Sequence, residues 1–172
     1  MLVEELLLLA RADEGRLAAH REWVRLDDIV TSEVVRQRRI AGREIDVSAE
    51  PISLRGDGAA LSRLVRNLLE NAVRHARSCV QVTVYPRGQD AVLTVADDGP
   101  GIPEEDRARV FHRFVRLDSD RARRGGGSGL GLSIVAAIAS AHGGSVVIDD
   151  RPGGGTCVAV QLPLTRLPDS SR

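Results

Sequence analysis

"GGGSGLGLSIV", residues 125–135, places five glycines between Gly125 and Gly131 and then turns abruptly into an apolar run. Glycine reaches backbone conformations closed to other residues and loses more entropy on ordering, so such a cluster requires a reason. Gly127, Gly129 and Gly131 recur at every second position and lead into "LSIVAAIASAHGG", where the pattern predicts an apolar helix from about Leu130 to His142. A helix N-terminus carries unpaired N–H groups and the positive end of a dipole, which together hold phosphate. Glycines let a bulky anion approach those groups. The dinucleotide pattern G-x-G-x-x-G fails, because Leu132 stands where its last glycine would be. Gly125 and Gly126, beside Arg123 and Arg124, read as the hinge of a lid.

Composition narrows the chemistry. All 24 basic residues are arginine, which removes the lysine of a Walker phosphate loop, the strand lysine of a Ser/Thr/Tyr protein kinase, and Schiff-base catalysis. Formal net charge is +0, so no global field points to nucleic acid or a membrane surface. At 172 residues the chain has the length of one domain with a short appendage, able to bury roughly 70% of its unfolded surface without a disulfide or metal. Cys79 and Cys157 read as buried, reduced thiols. The opening "MLVEELLLLA" is too short for a membrane span and is interrupted by Glu4 and Glu5. It reads as the end of a helix whose apolar side expects a partner.

Outward from the glycine loop, the pattern alternates between periods of 2 and 3.6. "EWVRL" is a short strand, with Asp27 expected to cap the helix "DIVTSEVVRQRRI". "REIDVSAE" and "ISLRGD" read as strands and residues 58–76 as a helix. "CVQVTVYP" and "AVLTVADD" pair around the turn "RGQD". Residues 99–128 form a long irregular stretch, expected of a lid, and "GSVVIDD" and "CVAVQLP" close the chain as a hairpin before a frayed tail. Such mixing without strict alternation predicts a mixed sheet covered on one face by helices.

Two further motifs flank the lid. On the helix at 58–76, Leu61, Leu64, Val65, Leu68, Leu69, Ala72, Val73 and Ala76 make a broad apolar face, and Arg63, Arg66, Glu70 and Arg77 a solvated one. Asn67, Asn71 and Arg74 share a narrow arc on the shoulder between them, with His75 at the apolar margin. Asparagine is a mediocre helix former and costly to bury unpaired, so two of them at the core's edge read either as a polar pocket wall or as ties to neighbouring backbone. The strand "TVADDGPGI" ends in D-x-G-x-G. Alternation from Val95 turns Asp97 inward and Asp98 outward. A buried carboxylate must be hydrogen-bonded, and the exocyclic amine of a purine suits it, at roughly 1.5–3 kcal/mol. A plain Asp-Gly turn would read the same way locally.

Taken in order, "NLLENAVRHA", "DDGPGI", "VFHRFVR", "GGGSGLGLSIV" and "GGT" resemble the N, G1, F, G2 and G3 boxes of bacterial sensor histidine kinases, within the superfamily of the gyrase, heat-shock chaperone and mismatch-repair ATPases. The resemblance spans residues 22 to 163. It implies the Bergerat fold, a two-layer α/β sandwich of about five strands with three helices on one face and a long ATP lid. It implies Asn71 as the Mg²⁺ ligand, with Asn67 supporting the same wall, Arg74 reaching the phosphates and His75 against the nucleotide. Asp97 would read the adenine amine, and Gly99, Gly101 and Ile102 would shape the base pocket. Phe111 and Phe114 would anchor the lid, with Arg116 a phosphate contact on closure. Gly127, Gly129, Leu130, Gly131 and Leu132 would wrap the phosphates, and Thr156 would close the floor.

The superfamily's hydrolases carry a glutamate one turn before the Mg²⁺ asparagine. Here that place holds Asn67, which cannot act as a base, while Glu70 could assist a histidine acceptor. None of His20, His75, His112 and His142 has the setting of a phosphoacceptor. The implied organisation is a remnant of a dimerisation hairpin at residues 1–21, an ATP-binding catalytic domain at 22–163 and a tail at 164–172. The implied partners are a histidine-bearing dimerisation domain and a response regulator, with no nucleic acid. The isolated domain is expected to be monomeric and unable to phosphorylate itself. The full-length protein is expected to be a homodimer with this domain in the cytoplasm. A serine-kinase anti-sigma factor and a non-catalytic nucleotide-binding module are the rival readings.

Overall fold

In the computed structural model, which describes residues 2–13, 20–41, 44–117 and 128–164, apolar rows crossing neighbouring strands set the architecture. The described elements run α1 (Leu2–Asp13), β1 (Glu22–Arg25), α2 (Leu26–Ala41), β2 (Glu44–Ala49), β3 (Ser53–Gly56), α3 (Gly58–His75), β4 (Cys79–Arg87), β5 (Asp90–Asp97), α4 (Glu104–Arg107), a 3-10 turn (Arg109–Phe111), α5 (Gly131–Ala141), β6 (Ser145–Asp150) and β7 (Thr156–Pro163). Val82, Val95, Val158 and Ile148 face one another across β4, β5, β7 and β6, and all are buried. Period-2 alternation brings Val80, Val84, Leu93, Val160 and Leu162 to the same face.

The main sheet has five strands in the order β2-β4-β5-β7-β6; β2 runs parallel to β4 and the other pairs are antiparallel. Helices α2, α3 and α5 cover its apolar face, and α1 packs on α5. The expected two-layer α/β sandwich is therefore the observed one. β1 and β3 stand apart from it as an antiparallel ribbon of their own.

Helix α3 is the spine of the helical layer. Asp57 caps it, its carboxylate accepting the Ala60 N–H at 3.0 Å. Leu61, Leu64, Val65, Leu68 and Leu69 are at most 1% exposed, each contributing about 1.5–3 kcal/mol by burial. The other end of the layer is tied back to this cap by His142, which follows α5. The Asp57 N–H donates to His142 Nε2 at 3.0 Å, while His142 Nδ1 lies 2.8 Å from the Ile138 carbonyl oxygen. Burial pushes the His142 pKa down, which favours the neutral ring this arrangement requires.

Three expectations are corrected. Asp27 does not cap α2, which already begins at Leu26. The Leu26 N–H donates to the Ile52 carbonyl and the Ile52 N–H to Asp27 Oδ1, so the carboxylate staples the chain at 52, with Arg25 2.6 Å away. Cys79 and Cys157 are free but only half-buried, because both sit on the sheet face that the helices leave open. Within the stretch expected to be irregular, residues 104–107 form α4, entered through Pro103 with Glu104, Glu105 and Asp106 in its first turn. Residues 118–127 lie outside the described residues, as do 165–172 of the expected tail. No helix among the described residues is long and apolar enough to cross a membrane.

Candidate nucleotide site

One row beyond the apolar rows, the sheet changes character: Val80, Asp97, Thr156 and Asp150 face one another across β4, β5, β7 and β6. Asp97 is 2% exposed and Thr156 4%. The same alternation that buries Val95 thus turns Asp97 under the helical layer, as expected. Its Oδ1 accepts the Gly99 N–H at 2.8 Å. Burial raises its pKa from the ordinary value, against the pull of the Gly99 N–H, His75 and the Thr156 backbone. A buried carboxylate with a raised pKa at the end of a strand is ready to accept from a polar ligand.

Backbone crowds around it. A Cβ on Gly99 would stand 2.5 Å from the His75 carbonyl oxygen, and one on Gly155 1.9 Å from the Asp97 carbonyl oxygen. Gly155 also has φ +114° and Gly101 φ +82°, conformations that side chains strain. Gly155 lies within the "GGT" motif but is not among the expected site residues; its backbone stands directly against that of Asp97. Ile102 packs half-buried against the core.

The opposite wall comes from α3 and the start of α5. Asn67 Nδ2 donates to the Arg63 carbonyl at 2.8 Å, and a Cβ on Gly131 would sit 3.4 Å from Asn67 Oδ1. Asn67 therefore ties down neighbouring backbone and also meets the N-terminus of α5. Asn71 is half-buried and Arg74 exposed. Neither side chain makes a hydrogen bond or ion pair among the described residues. Glu70 turns the other way, exposed, with its carboxylate 3.9 Å from Arg36 on α2. Its place on the helix is one residue, or about 100°, from Asn71, and Arg36 and Arg66 lie on that other side.

The glycine loop is strapped to the segment before residue 118 through backbone. The Phe114 N–H donates to the Gly129 carbonyl at 3.0 Å, and Phe114 and Gly129 both have positive φ, +64° and +73°. Phe111 packs half-buried on the core, whereas the Phe114 ring is 60% exposed, so Phe114 attaches by its main chain. Leu130 is fully buried and Leu132 packs on the core, which leaves only their backbone to a ligand. Arg116 is half-buried, and Gly127 lies outside the described residues.

A buried carboxylate at a strand end, with a helix N-terminus against Asn67 and a half-buried Asn71 one turn along α3, fits a purine nucleotide. Residues 56–166 match the family of histidine kinase-, DNA gyrase B-, and HSP90-like ATPases. The chain belongs to this family. Its relatives are sensor histidine kinases. The probable sensor histidine kinase TcrY of Mycobacterium tuberculosis is 41% identical over 169 residues, which cover 95% of this chain and 35% of TcrY. BaeS of Escherichia coli is 36% identical, over 96% of this chain and 37% of BaeS. The chain thus spans about a third of the length of these relatives. Among solved structures, the mycobacterial sensor histidine kinase MprB superposes with a TM-score of 0.75 at 33% identity, covering 86% of this chain and all of that one. Full-length ShkA in complex with AMPPNP gives a TM-score of 0.81 at 28% identity, over 96% of this chain and 36% of ShkA. As a family member, the domain is of the ATP-using kind.

Proposed function

We propose that this domain binds Mg-ATP and transfers its γ-phosphoryl group to a histidine on a dimerisation domain, for relay to a response regulator. Residues 22–163 are assigned to the ATP-binding unit and α1 to the end of the dimerisation hairpin, with Val3, Leu6 and Leu7 exposed on it. In this reading the domain works on the cytoplasmic side of a homodimeric sensor. The residues fit a magnesium ion bound with its nucleotide: Asn71 presents a half-buried carboxamide that has no partner among the described residues, and hard cations favour oxygen donors. Bound there, the ion supplies charge neutralisation along the phosphates.

The domain's own residues do the rest. Asp97 accepts from the adenine amine, and Gly99, Gly101, Ile102 and Thr156 shape the base end. The N–H groups from Gly129 to Leu132 and the Arg74 guanidinium hold the phosphates, joined by Arg116 and Gly127, and His75 lies against the nucleotide. The acceptor nitrogen attacks γ-phosphorus in line, the bond to the bridging oxygen breaks, and ADP leaves.

One observation carries transfer over hydrolysis. The position that would hold a water-activating carboxylate is Asn67, with its Nδ2 spent on the Arg63 carbonyl, and the nearby carboxylate, Glu70, faces Arg36. Among the described residues no base stands ready for water, so the nucleophile comes from outside. His142 cannot supply it, being buried with both ring nitrogens engaged. The test supplies γ-labelled Mg-ATP and a separately made histidine-bearing hairpin. Acid-labile label is expected on the hairpin's histidine and none on this chain. Release of inorganic phosphate at the same rate with and without the hairpin would contradict the reading.

A further inference from the structure

Asp98 follows the base-reading carboxylate but points away from the pocket, and it is the most heavily hydrogen-bonded carboxylate of the described residues. Its Oδ1 accepts the Arg77 N–H at 2.8 Å, the Ser78 N–H at 3.0 Å and the Cys79 N–H at 3.3 Å. Its Oδ2 accepts the Ser78 hydroxyl at 2.5 Å and shares the Ser78 N–H at 3.1 Å. These donors are the consecutive residues between the end of α3 and the start of β4. The bonds, led by those from Ser78, hold the carboxyl well below the usual carboxylate range, so it stays ionised in any ordinary buffer.

We propose that Asp98 is a positioning residue for the base end of the site, a role that rests on the nucleotide reading above. Asp97 and Asp98 are joined by one peptide and face opposite ways. Asp98 grips the segment leaving α3, the helix that carries Asn67, Asn71 and His75. Asp97 accepts the Gly99 N–H, and Gly99 in turn lies against the His75 carbonyl, where a Cβ would come within 2.5 Å. The clamp therefore sets the end of β5 against the end of α3. Without it the strand end slides relative to the helix and carries the adenine-accepting oxygen with it.

Calorimetric titration of ATP and ADP, each with magnesium, tests the role. Asp98→Ala is expected to weaken both nucleotides by the same factor, about tenfold, because the loss lies at the base they share. Asp98→Asn keeps one carbonyl acceptor for the Arg77 and Ser78 N–H groups and is expected to recover most of that loss. Amide exchange at Arg77, Ser78 and Cys79 should quicken in the alanine variant. Wild-type affinity in Asp98→Ala, a fall for ATP much larger than for ADP, or no recovery in Asp98→Asn overturns the proposal. If Asp98→Ala does not fold, Ser78→Ala replaces it: it removes one donor, and an equal, roughly twofold fall for both nucleotides is expected. Unchanged affinity there overturns the role. Asp97→Asn separates the two ideas: if it leaves ATP affinity intact the nucleotide reading itself fails, and if it weakens ATP while Asp98→Ala does not, only the positioning role fails.

Discussion

At the base end of the site backbone meets backbone, and a Cβ on Gly155 or Gly99 would stand 1.9 or 2.5 Å from a carbonyl oxygen. At the phosphate end the spacing varies: a Cβ on Gly129 would stand 3.0 Å from the Phe114 backbone, whereas one on Gly131, the first residue of α5, would reach only Asn67 Oδ1, at 3.4 Å. The polar groups differ in the same way. Asp97 and Asp98 are held by N–H donors already, whereas Asn71 and Arg74 make no bond among the described residues. The base end is shaped in advance and pays no ordering cost when the ligand arrives. At the other end Asn71 and Arg74 stay uncommitted among the described residues, which suits the proposed binding of phosphates and an ion.

The largest effect is expected where that contrast is sharpest. Gly155→Ala puts a Cβ into the Asp97 carbonyl at a φ that only glycine tolerates, costing about 3 kcal/mol or more in strain and displacement. A lowered melting temperature together with loss of ATP binding is the expected result. A variant of wild-type stability would mean that the two strand ends are not packed this tightly.

Asn71→Ala attacks the other end. It leaves the fold intact, since the side chain holds nothing together, and it is expected to remove the magnesium dependence of ATP affinity, about tenfold. Melting curves with and without Mg-ATP check both halves of the expectation. Retained magnesium dependence would move the ion elsewhere.

Acid separates the ends without mutation. The Asp97 pKa lies above its ordinary value of 3.8, so protonation favours the free fold as pH falls while it removes the proposed acceptor for adenine. As pH falls toward the raised pKa of this carboxyl, wild-type ATP affinity should fall more than that of Asp97→Asn. His142 works in the opposite sense on stability. Its pKa is lowered from 6.5, so its contribution to folding is present above that value and is lost as pH falls below it. Parallel ATP titrations and unfolding curves from pH 7 to 5 distinguish the two.

The smallest effect is expected from Gly131→Ala. The added methyl meets an ordinary contact at 3.4 Å and a helical backbone, so stability should stay within about 0.5–1 kcal/mol of wild type. A collapse of the fold would show that the start of α5 is as tightly built as the base end.

The contrast between the ends also explains what could be read from the sequence. Asp97 was legible because period 2 from Val95 is enough to turn it inward, and the asparagine arc because α3 is a long regular helix. The sheet and its helical cover followed from apolar periodicity. Gly155 was legible only as part of the "GGT" motif; the constraint on it comes from the register of β7 on β5, which brings Asp97 opposite Thr156. Nor was the exposure of Phe114, whose attachment runs through its main chain. Asp27 looked like a cap because capping is local, while its actual partner at Ile52 lies 25 residues away.

The central claim is that one buried carboxylate reads the base. Competition calorimetry of ATP against GTP, on wild-type protein and on Asp97→Asn, tests it most directly. The account predicts that wild type prefers ATP and that Asp97→Asn loses about 1.5–3 kcal/mol of ATP affinity, roughly tenfold or more, together with that preference. Equal ATP affinity and an unchanged preference in the two proteins would contradict it.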